Sequence, residues 1–456
     1  MAGAQDTGLG SPCPWPRTPL SEEGGLQLVR ILEECANDVA ANNIQNANTR
    51  LEHISCLASP NGTAIQRIAA YFIEAFAERM MIKSLPGLYK ALNSTKISLV
   101  FEKIHVHRLF SKFFPFIRVA YAITNQAIIE AMEGEKMFHI IDLYSFEADQ
   151  WIDLFQTLCV RPEGPPRLKI TGIHEQKAVL EQMALRLIEE AAKLGIPFQF
   201  IPIVSKLENL DLESLCVKSG EALAISSLFQ LHSLLATDEE VLRRNSPVAS
   251  QKTHKVFDVD QQPLRDFLNK DTSGSPDFAS PSSILSLSAS PKMKNFLSSL
   301  RCLSPKLMVI TEQEANHNGF SLTGRVKKAL NYYAALFDCL DSTLPRESME
   351  RYKVEKMLFG EEIKNIIACE GVERHERHEK LEKWILRLEQ IGFGRVRLSY
   401  HNMLQAGRYL RSYGNDGYNI KDENGCFVIC WNKCPLFSIS AWSFMRQNRD
   451  NWPWGQ

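Results

Sequence analysis

The sequence predicts an α/β protein: a mainly parallel sheet with covering helices, preceded by an N-terminal helical cap. Three observations predict it. From about residue 137 onward, short apolar runs rich in Val, Ile and Phe alternate with stretches of helical periodicity, the pattern of parallel strands joined by right-handed crossovers. The first third of the chain is instead mostly helical in its spacing. Finally, MFHIIDLYSFEADQW at 137–151 is an apolar strand closed by the carboxylate of Asp142, and open α/β sheets hold ligands beyond the carboxyl ends of such strands.

Residues 1–24 carry Pro12, Pro14, Pro16 and Pro19 among small and polar residues, which resists regular structure and reads as a flexible leader. The cap is expected over 25–132. Ile31, Leu32, Cys35, Ala36 and Val39 recur at helical spacing, and Ile65, Ile68, Ala69, Phe72, Ile73, Phe76 and Met80 do so more strongly. Pro86-Gly87 punctuates this region, and Phe113-Phe114-Pro115-Phe116 marks a turn before a helix running toward Ile128 and Met132.

The α/β core is expected over 133–236 and 293–442, with strands at 138–143, 168–173, 198–203, 222–226, 307–311, 396–400 and 426–431. Helical faces follow most of them, as with Val179, Leu180, Met183, Leu187 and Ala191, or Val326, Leu330, Tyr333, Phe337 and Leu340. The last two strands, each following a Gly-containing turn, are expected to form an antiparallel edge pair. Between the two parts of the core, 237–292 is rich in Ser, Pro, Asp and Gln and reads as a disordered insertion. Its Ser246-Pro247, Ser275-Pro276, Ser280-Pro281 and Ser290-Pro291 pairs suit proline-directed phosphorylation, although loop composition alone also produces them. Residues 443–456 are expected to form a tail.

With 456 residues, 45% hydrophobic and 23% charged, the chain has the composition of a globular protein. A formal net charge of -1 gives no bulk attraction for nucleic acid, so direct DNA binding is the lesser reading. Eleven scattered cysteines, with no secretory leader and no apolar run of membrane length, point to reduced thiols in cytosol or nucleus, away from any membrane.

An α/β enzyme needs small residues after its first strand, because only glycine lets backbone N–H groups approach a phosphate or methionine-type cofactor. Here the residues are Leu143, Tyr144, Ser145, Phe146, Glu147 and Ala148. No catalytic residue and no cofactor are therefore expected. Asp142, His174, Glu175 and Glu312 compose a candidate vestigial pocket; the plainer reading is that Asp142 and Glu175 cap the helices that follow them. His375 and His378 are three apart rather than four, so no zincin helix is expected. The segment around them reads as solvated helix. Cys426, Cys430 and Cys434 read as small core residues, and no metal site is expected. Leu231, Leu234 and Leu235 have LxxLL spacing, which suits either an ordinary core or docking of a helix in a partner's groove.

These signatures occur in an order that resembles the GRAS family. FHIIDL at 138–143 resembles that family's VHIID core, and 26–99 and 161–200 resemble its leucine-rich regions. Pro305, Phe337, Arg374 and Glu376 look like its PFYRE elements, and Ser440-Ala441-Trp442 its SAW signature. The resemblance extends over 25–442 and implies a Rossmann-like, methyltransferase-like core. It also implies a plant nuclear transcriptional co-regulator that scaffolds transcription factors and other GRAS proteins, including DELLA repressors, in gibberellin signalling and root development. DNA would be reached indirectly or weakly, and homo- or hetero-dimers are implied as possible forms. The alternatives are an S-adenosylmethionine-dependent methyltransferase or small-molecule sensor, and a direct sequence-specific DNA-binding factor.

Overall fold

The computed structural model describes residues 21–94, 100–236, 290–414 and 416–444. Nearly all of the expected leader, insertion and tail lies outside the described residues, as do Ser246, Ser275 and Ser280. Two expected boundaries shift. The first helix already begins at Glu22, capped by Ser21, whose Oγ accepts from Gly24 N at 3.2 Å. Ser290 is buried, donates to the Leu234 carbonyl at 3.1 Å and precedes a helix with Pro291 in its first turn.

In chain order the helices are α1 (Glu22–Ala40), α2 (Ile44–Leu57), α3 (Ala64–Ser84), α4 (Pro86–Asn93), α5 (Val100–Phe113), α6 (Pro115–Ala131) and α7 (Asp149–Leu158). They continue as α8 (Lys177–Lys193), α9 (Pro291–Cys302), α10 (Leu322–Asp341), α11 (Met349–Val354), α12 (Gly360–Ala368), α13 (Leu381–Ile391) and α14 (Tyr400–Ser412). The strands are β1 (Met137–Asp142), β2 (Arg167–His174), β3 (Phe198–Val204), β4 (Ala222–Leu228), β5 (Leu307–Gln313), β6 (Phe393–Val396), β7 (Tyr418–Glu423), β8 (Cys426–Trp431) and β9 (Cys434–Phe444). No helix among the described residues is long and apolar enough to cross a membrane.

These elements fall into two compact units, one from residues 21–94 and 320–369, the other from 100–236, 290–319 and 370–444. The helical unit therefore differs from the expected cap at both ends. It takes in α10 to α12 from the expected core, while α5 and α6 belong with the sheet. In the helical unit, α3 starts at a capping box in which Thr63 and Gln66 satisfy each other's end of the helix. Its Ile65, Ile68, Ala69, Phe72 and Phe76 are buried at the spacing read from sequence. Among them sits a charged residue: Arg67, fully buried, bonds Glu355 at 3.0 Å and Asp341 at 2.6 Å.

The second unit carries a nine-stranded sheet of order β3-β2-β1-β4-β5-β9-β8-β7, with β6 also on β9. Strands β1 to β5 are parallel, and β9, β8, β7 and β6 pair antiparallel. Parallel strands covered on both faces are apolar throughout, and β4 and β5 are buried along almost their whole length. The order runs outward from β1 to β3, then returns to place β4 on the other side of β1. The carboxyl ends of β1 and β4 thus flank the topological switch point, where sheets of this kind bind ligands.

Two expectations about the last strands are corrected. The run 396–400 is not a strand: β6 ends at Val396, and Ser399 Oγ accepts from Asn402 N at 3.2 Å to cap α14. The edge pair also gives way, because β8 pairs with β7 and β9 rather than with β6. Asn424-Gly425 joins β7 to β8 with both residues at positive φ, 57° and 85°, the conformation a two-residue hairpin requires. As expected, Cys426 and Cys430 are small core residues, packed with Leu381 and Val428.

Candidate functional site

At the switch point the residues after β1 fold back over the end of β2. Ser145 N donates to the Ile173 carbonyl at 2.9 Å. The crossing is possible because residue 172 is glycine: a Cβ there would lie 2.6 Å from Ser145 Oγ and 2.6 Å from the Phe200 ring. The returning loop carries three aromatic contacts. Tyr144 and Phe146 stack with centroids 5.8 Å apart and 7° between planes, Tyr144 lies 5.2 Å from the His174 ring, and Phe146 lies 4.8 Å from His107. Rings thus stand where an enzyme of this architecture exposes backbone N–H groups.

Asp142 does not cap a helix. Helix α7 starts after Ala148 with no side-chain cap, and α8 starts after Gln176, again with none. Asp142 is buried and accepts from Trp151 Nε1 at 2.9 Å and Tyr144 N at 3.2 Å. Burial pushes its carboxyl pKa up, against the opposing pull of those donors. The strand-closing acid therefore ties the loop to α7, nine residues on. Glu175 is exposed, and His174 accepts from Gln176 N at 3.0 Å through Nδ1. The four residues expected to share one pocket are each engaged separately.

The fourth of them, Glu312, belongs to a polar cluster beyond β4 and β5. Phe229, at the end of β4, adopts φ 53° and donates its N–H to the Thr311 carbonyl at 2.9 Å, a strained conformation for a bulky residue. The chain then enters a single 3-10 turn, Leu231–Leu235. Its first N–H and the His232 ring both reach Glu312, Leu231 N to Oε1 at 2.8 Å and His232 Nδ1 to Oε2 at 2.8 Å. Leu231, Leu234 and Leu235 are 0, 3 and 2% exposed within the core under the sheet. The docking reading of the LxxLL segment is thereby overturned: these leucines pack inward, and the histidine between them carries the polar role.

Opposite His232 lies the segment after Gly371, which is extended rather than the solvated helix expected. Arg374, Arg377, His378 and Glu379 are all buried. The loop after β5 satisfies them. Arg374 donates to the His317 carbonyl at 2.8 Å, Arg377 to Asn318 Oδ1 at 3.1 Å, Asn318 to Glu379 at 2.8 Å, and His317 N to the His378 carbonyl at 2.9 Å. Arg387 of α13 completes the pairing of Glu379 at 2.7 Å. This places Glu376 Oε2 3.2 Å from His232 Nε2 and 3.0 Å from His378 Nε2, with His378 Nδ1 2.9 Å from His317 Nδ1.

The electrostatics follow from these contacts. Burial alone would depress the His232 pKa, but the Glu312 and Glu376 carboxylates outweigh it and raise it to about 10. Burial likewise opposes ionisation of Glu376, yet its bonds to His232 and His378 hold it well below the usual carboxylate range. Burial and the nearby His232 charge depress His378. The cluster is thus one cation between two anions, with a neutral imidazole beside it. Sequence reasoning noticed Glu312, Glu376 and His378 for other reasons and passed over His232 and His317. The only local signal was a histidine inside an otherwise apolar turn.

Other motif residues are structural. Pro305 is buried ahead of β5, Phe337 is fully buried on α10 against Tyr71 and Phe359, and Ser440, Ala441 and Trp442 lie buried in β9. Beside the switch point, a groove of about 350 Å³ is lined by Ile104, Phe146, Val179, Met183 and Leu185 with Arg108 and Arg186. Both arginines face acids, Glu147 at 3.5 Å and Asp149 at 2.7 Å, so the groove presents no unbalanced positive charge to a phosphate.

Glu314, just past β5, accepts from Leu381 N at 2.8 Å and so holds the start of α13. Burial pushes its carboxyl up to about 7. Because the folded chain retains this proton over a range where an unfolded carboxyl has lost it, the stability it contributes is complete below about pH 4.5 and is lost as pH rises through about 7. Glu314→Gln should flatten that part of the stability profile, as measured by denaturant unfolding across the interval. An unchanged slope would show that other groups dominate there.

Comparison with known proteins adds the following. The GRAS domain family model matches residues 28–443. Scarecrow-like protein 3 of Arabidopsis thaliana is 54% identical over 433 residues, 92% of this chain and 89% of that one. GRAS family protein TF80 of Medicago truncatula is 51% identical over 438 residues, 95% of this chain and 99% of that one. The crystal structure of SCL7 in Oryza sativa matches with a TM-score of 0.70 at 26% identity, covering 91% of this chain and 99% of that one.

Proposed function

Since the chain belongs to the GRAS domain family, we propose that it acts as a plant nuclear transcriptional co-regulator, a scaffold rather than an enzyme. Its partners on this reading are DNA-bound transcription factors and other family members, DELLA repressors included, with homo- or hetero-dimers as working forms. Gibberellin signalling and root development are the processes it would serve. One observation supports the scaffold over the enzyme: the loop after β1 crosses the end of β2 and fills the switch point with Tyr144, Phe146 and His174. Cofactor carboxylates and phosphates need convergent backbone N–H groups there.

Two measurements test this. Isothermal titration with S-adenosylmethionine, S-adenosylhomocysteine or NAD should give no saturable heat at micromolar concentrations, and Asp142→Ala should act through stability alone. Orphaning the buried Trp151 indole N–H costs about 1–3 kcal/mol. Saturable heat abolished by that substitution would restore the enzyme. In a mobility shift, the purified chain should retard promoter DNA only together with a DNA-bound factor. Strongly salt-dependent retardation by the chain alone would favour direct DNA contact instead.

A further inference from the structure

The cluster beyond β4 and β5 has features that an ion-pair network does not require. One donor atom from each of His232, Glu376 and His378 lies within 4.8 Å of those of the other two. Ligands 2.0–2.1 Å from a tetrahedral zinc ion stand about 3.3 Å from one another. The Glu376 Oε2 contacts, 3.2 Å to His232 Nε2 and 3.0 Å to His378 Nε2, are a few tenths of an ångström or less from that edge.

The outer contacts have the form a metal site uses. A ligating histidine commonly engages its other ring nitrogen with a carboxylate or another acceptor, which fixes the tautomer and aims the remaining lone pair at the ion. His232 does this through Nδ1 on Glu312 at 2.8 Å, and His378 through Nδ1 on His317 at 2.9 Å. Both Nε2 atoms then face Glu376. His378 Nε2 is fully buried, and its 3.0 Å contact with Glu376 lies outside hydrogen-bond geometry, leaving it with no hydrogen-bond partner. A buried ring nitrogen left this way costs free energy unless a cation accepts its lone pair. Access exists, because the Glu376 side chain keeps 24% of its exposure.

We propose that His232, Glu376 and His378 form a Zn²⁺ site, with Glu312 and His317 orienting the two imidazoles. Two histidines and one carboxylate are a ligand set zinc accepts, with a water completing the tetrahedron. The ion would tie the turn after β4 to the segment 374–379. Its role in that place is to lock the polar cluster, with no substrate required.

The test is titration of the chelator-stripped full chain with Zn²⁺ by calorimetry. The expected result is a single saturable equivalent at micromolar affinity or better. His378→Gln and Glu376→Gln should each weaken it by about 100-fold, and Glu312→Gln by about 10- to 100-fold. No saturable binding, or binding unchanged in both ligand variants, would overturn the site and move any zinc to the cysteines. Should a ligand variant fail to fold by circular dichroism, Co²⁺ absorption of the wild-type chain decides. A tetrahedral spectrum free of thiolate charge transfer supports the site, whereas a thiolate band or an octahedral spectrum overturns it.

Discussion

Trp442→Ala should destabilise the α/β unit by about 3–5 kcal/mol and lower its melting temperature by on the order of 10 °C. The indole is fully buried, packs in the same core as Met308, Leu297, Trp384 and Phe393, and donates from Nε1 to Ser440 Oγ at 2.9 Å. Its strand is central to the sheet. Strand β9 joins the parallel half to the antiparallel half, with Trp442 opposite Met308 of β5 on one side and Arg395 of β6 on the other. Truncation before Ser440 should be worse than the substitution. It removes the Ser440, Ala441 and Trp442 pairings to Ile310, Val309 and Met308, and the expected product is insoluble chain. Differential scanning calorimetry of Trp442→Ala checks the first expectation. A variant that melts like wild type yet loses a partner would make the residue a contact site.

In the helical unit, Glu355→Ala should cost about 3–5 kcal/mol, because it leaves two arginines buried without their shared counter-charge. Arg67 and Arg351 are 0 and 1% exposed at their side chains and converge on Glu355 from α3 and α11. The geometry depends on a π-helical turn, Glu355–Phe359, that follows α11 directly. It also depends on Gly360, where a Cβ would stand 2.9 Å from the Tyr71 ring. Burial raises the Glu355 carboxyl despite both arginines, so desolvation outweighs the attraction of the two guanidinium groups. Replacing Arg67, Arg351 and Glu355 together by apolar residues of similar size should therefore recover most of the loss. Urea unfolding followed by circular dichroism measures both effects. A single variant as stable as wild type would show that water reaches the arginines.

The parallel half of the fold was legible because β1 to β5 are apolar on both faces and each is bounded by polar or helical sequence. The antiparallel half was not. Strand β7, YNIKDE, is exposed over much of its length and shows no apolar alternation. Strand β9 was hidden by a two-residue turn, Asn432-Lys433, whose positive φ values of 46° and 72° belong to residues that do not announce it. Helix α14 buries only Asn402, Ala406 and Leu410, too narrow a stripe to displace a strand reading for 396–400. The segment around His378 was misread for a different reason. Its charges look solvated in sequence, yet Arg374, Arg377 and Glu379 find partners in the loop after β5 and on α13.

By itself the sequence determined the architecture's outline and the character of the switch point. Apolar period specifies which face an element buries, and bulky side chains after β1 exclude a glycine loop without reference to any other part of the chain. Only the tertiary structure decided what Asp142 and Glu312 do, and that His232, His317, Glu376 and His378 meet. His232 and Glu312 are 80 residues apart, and nothing in either local sequence encodes the other. Their pairing arises because β4 and β5 lie side by side in parallel, so residues just beyond both strands arrive at one place. Burial there leaves polar groups no partners but each other.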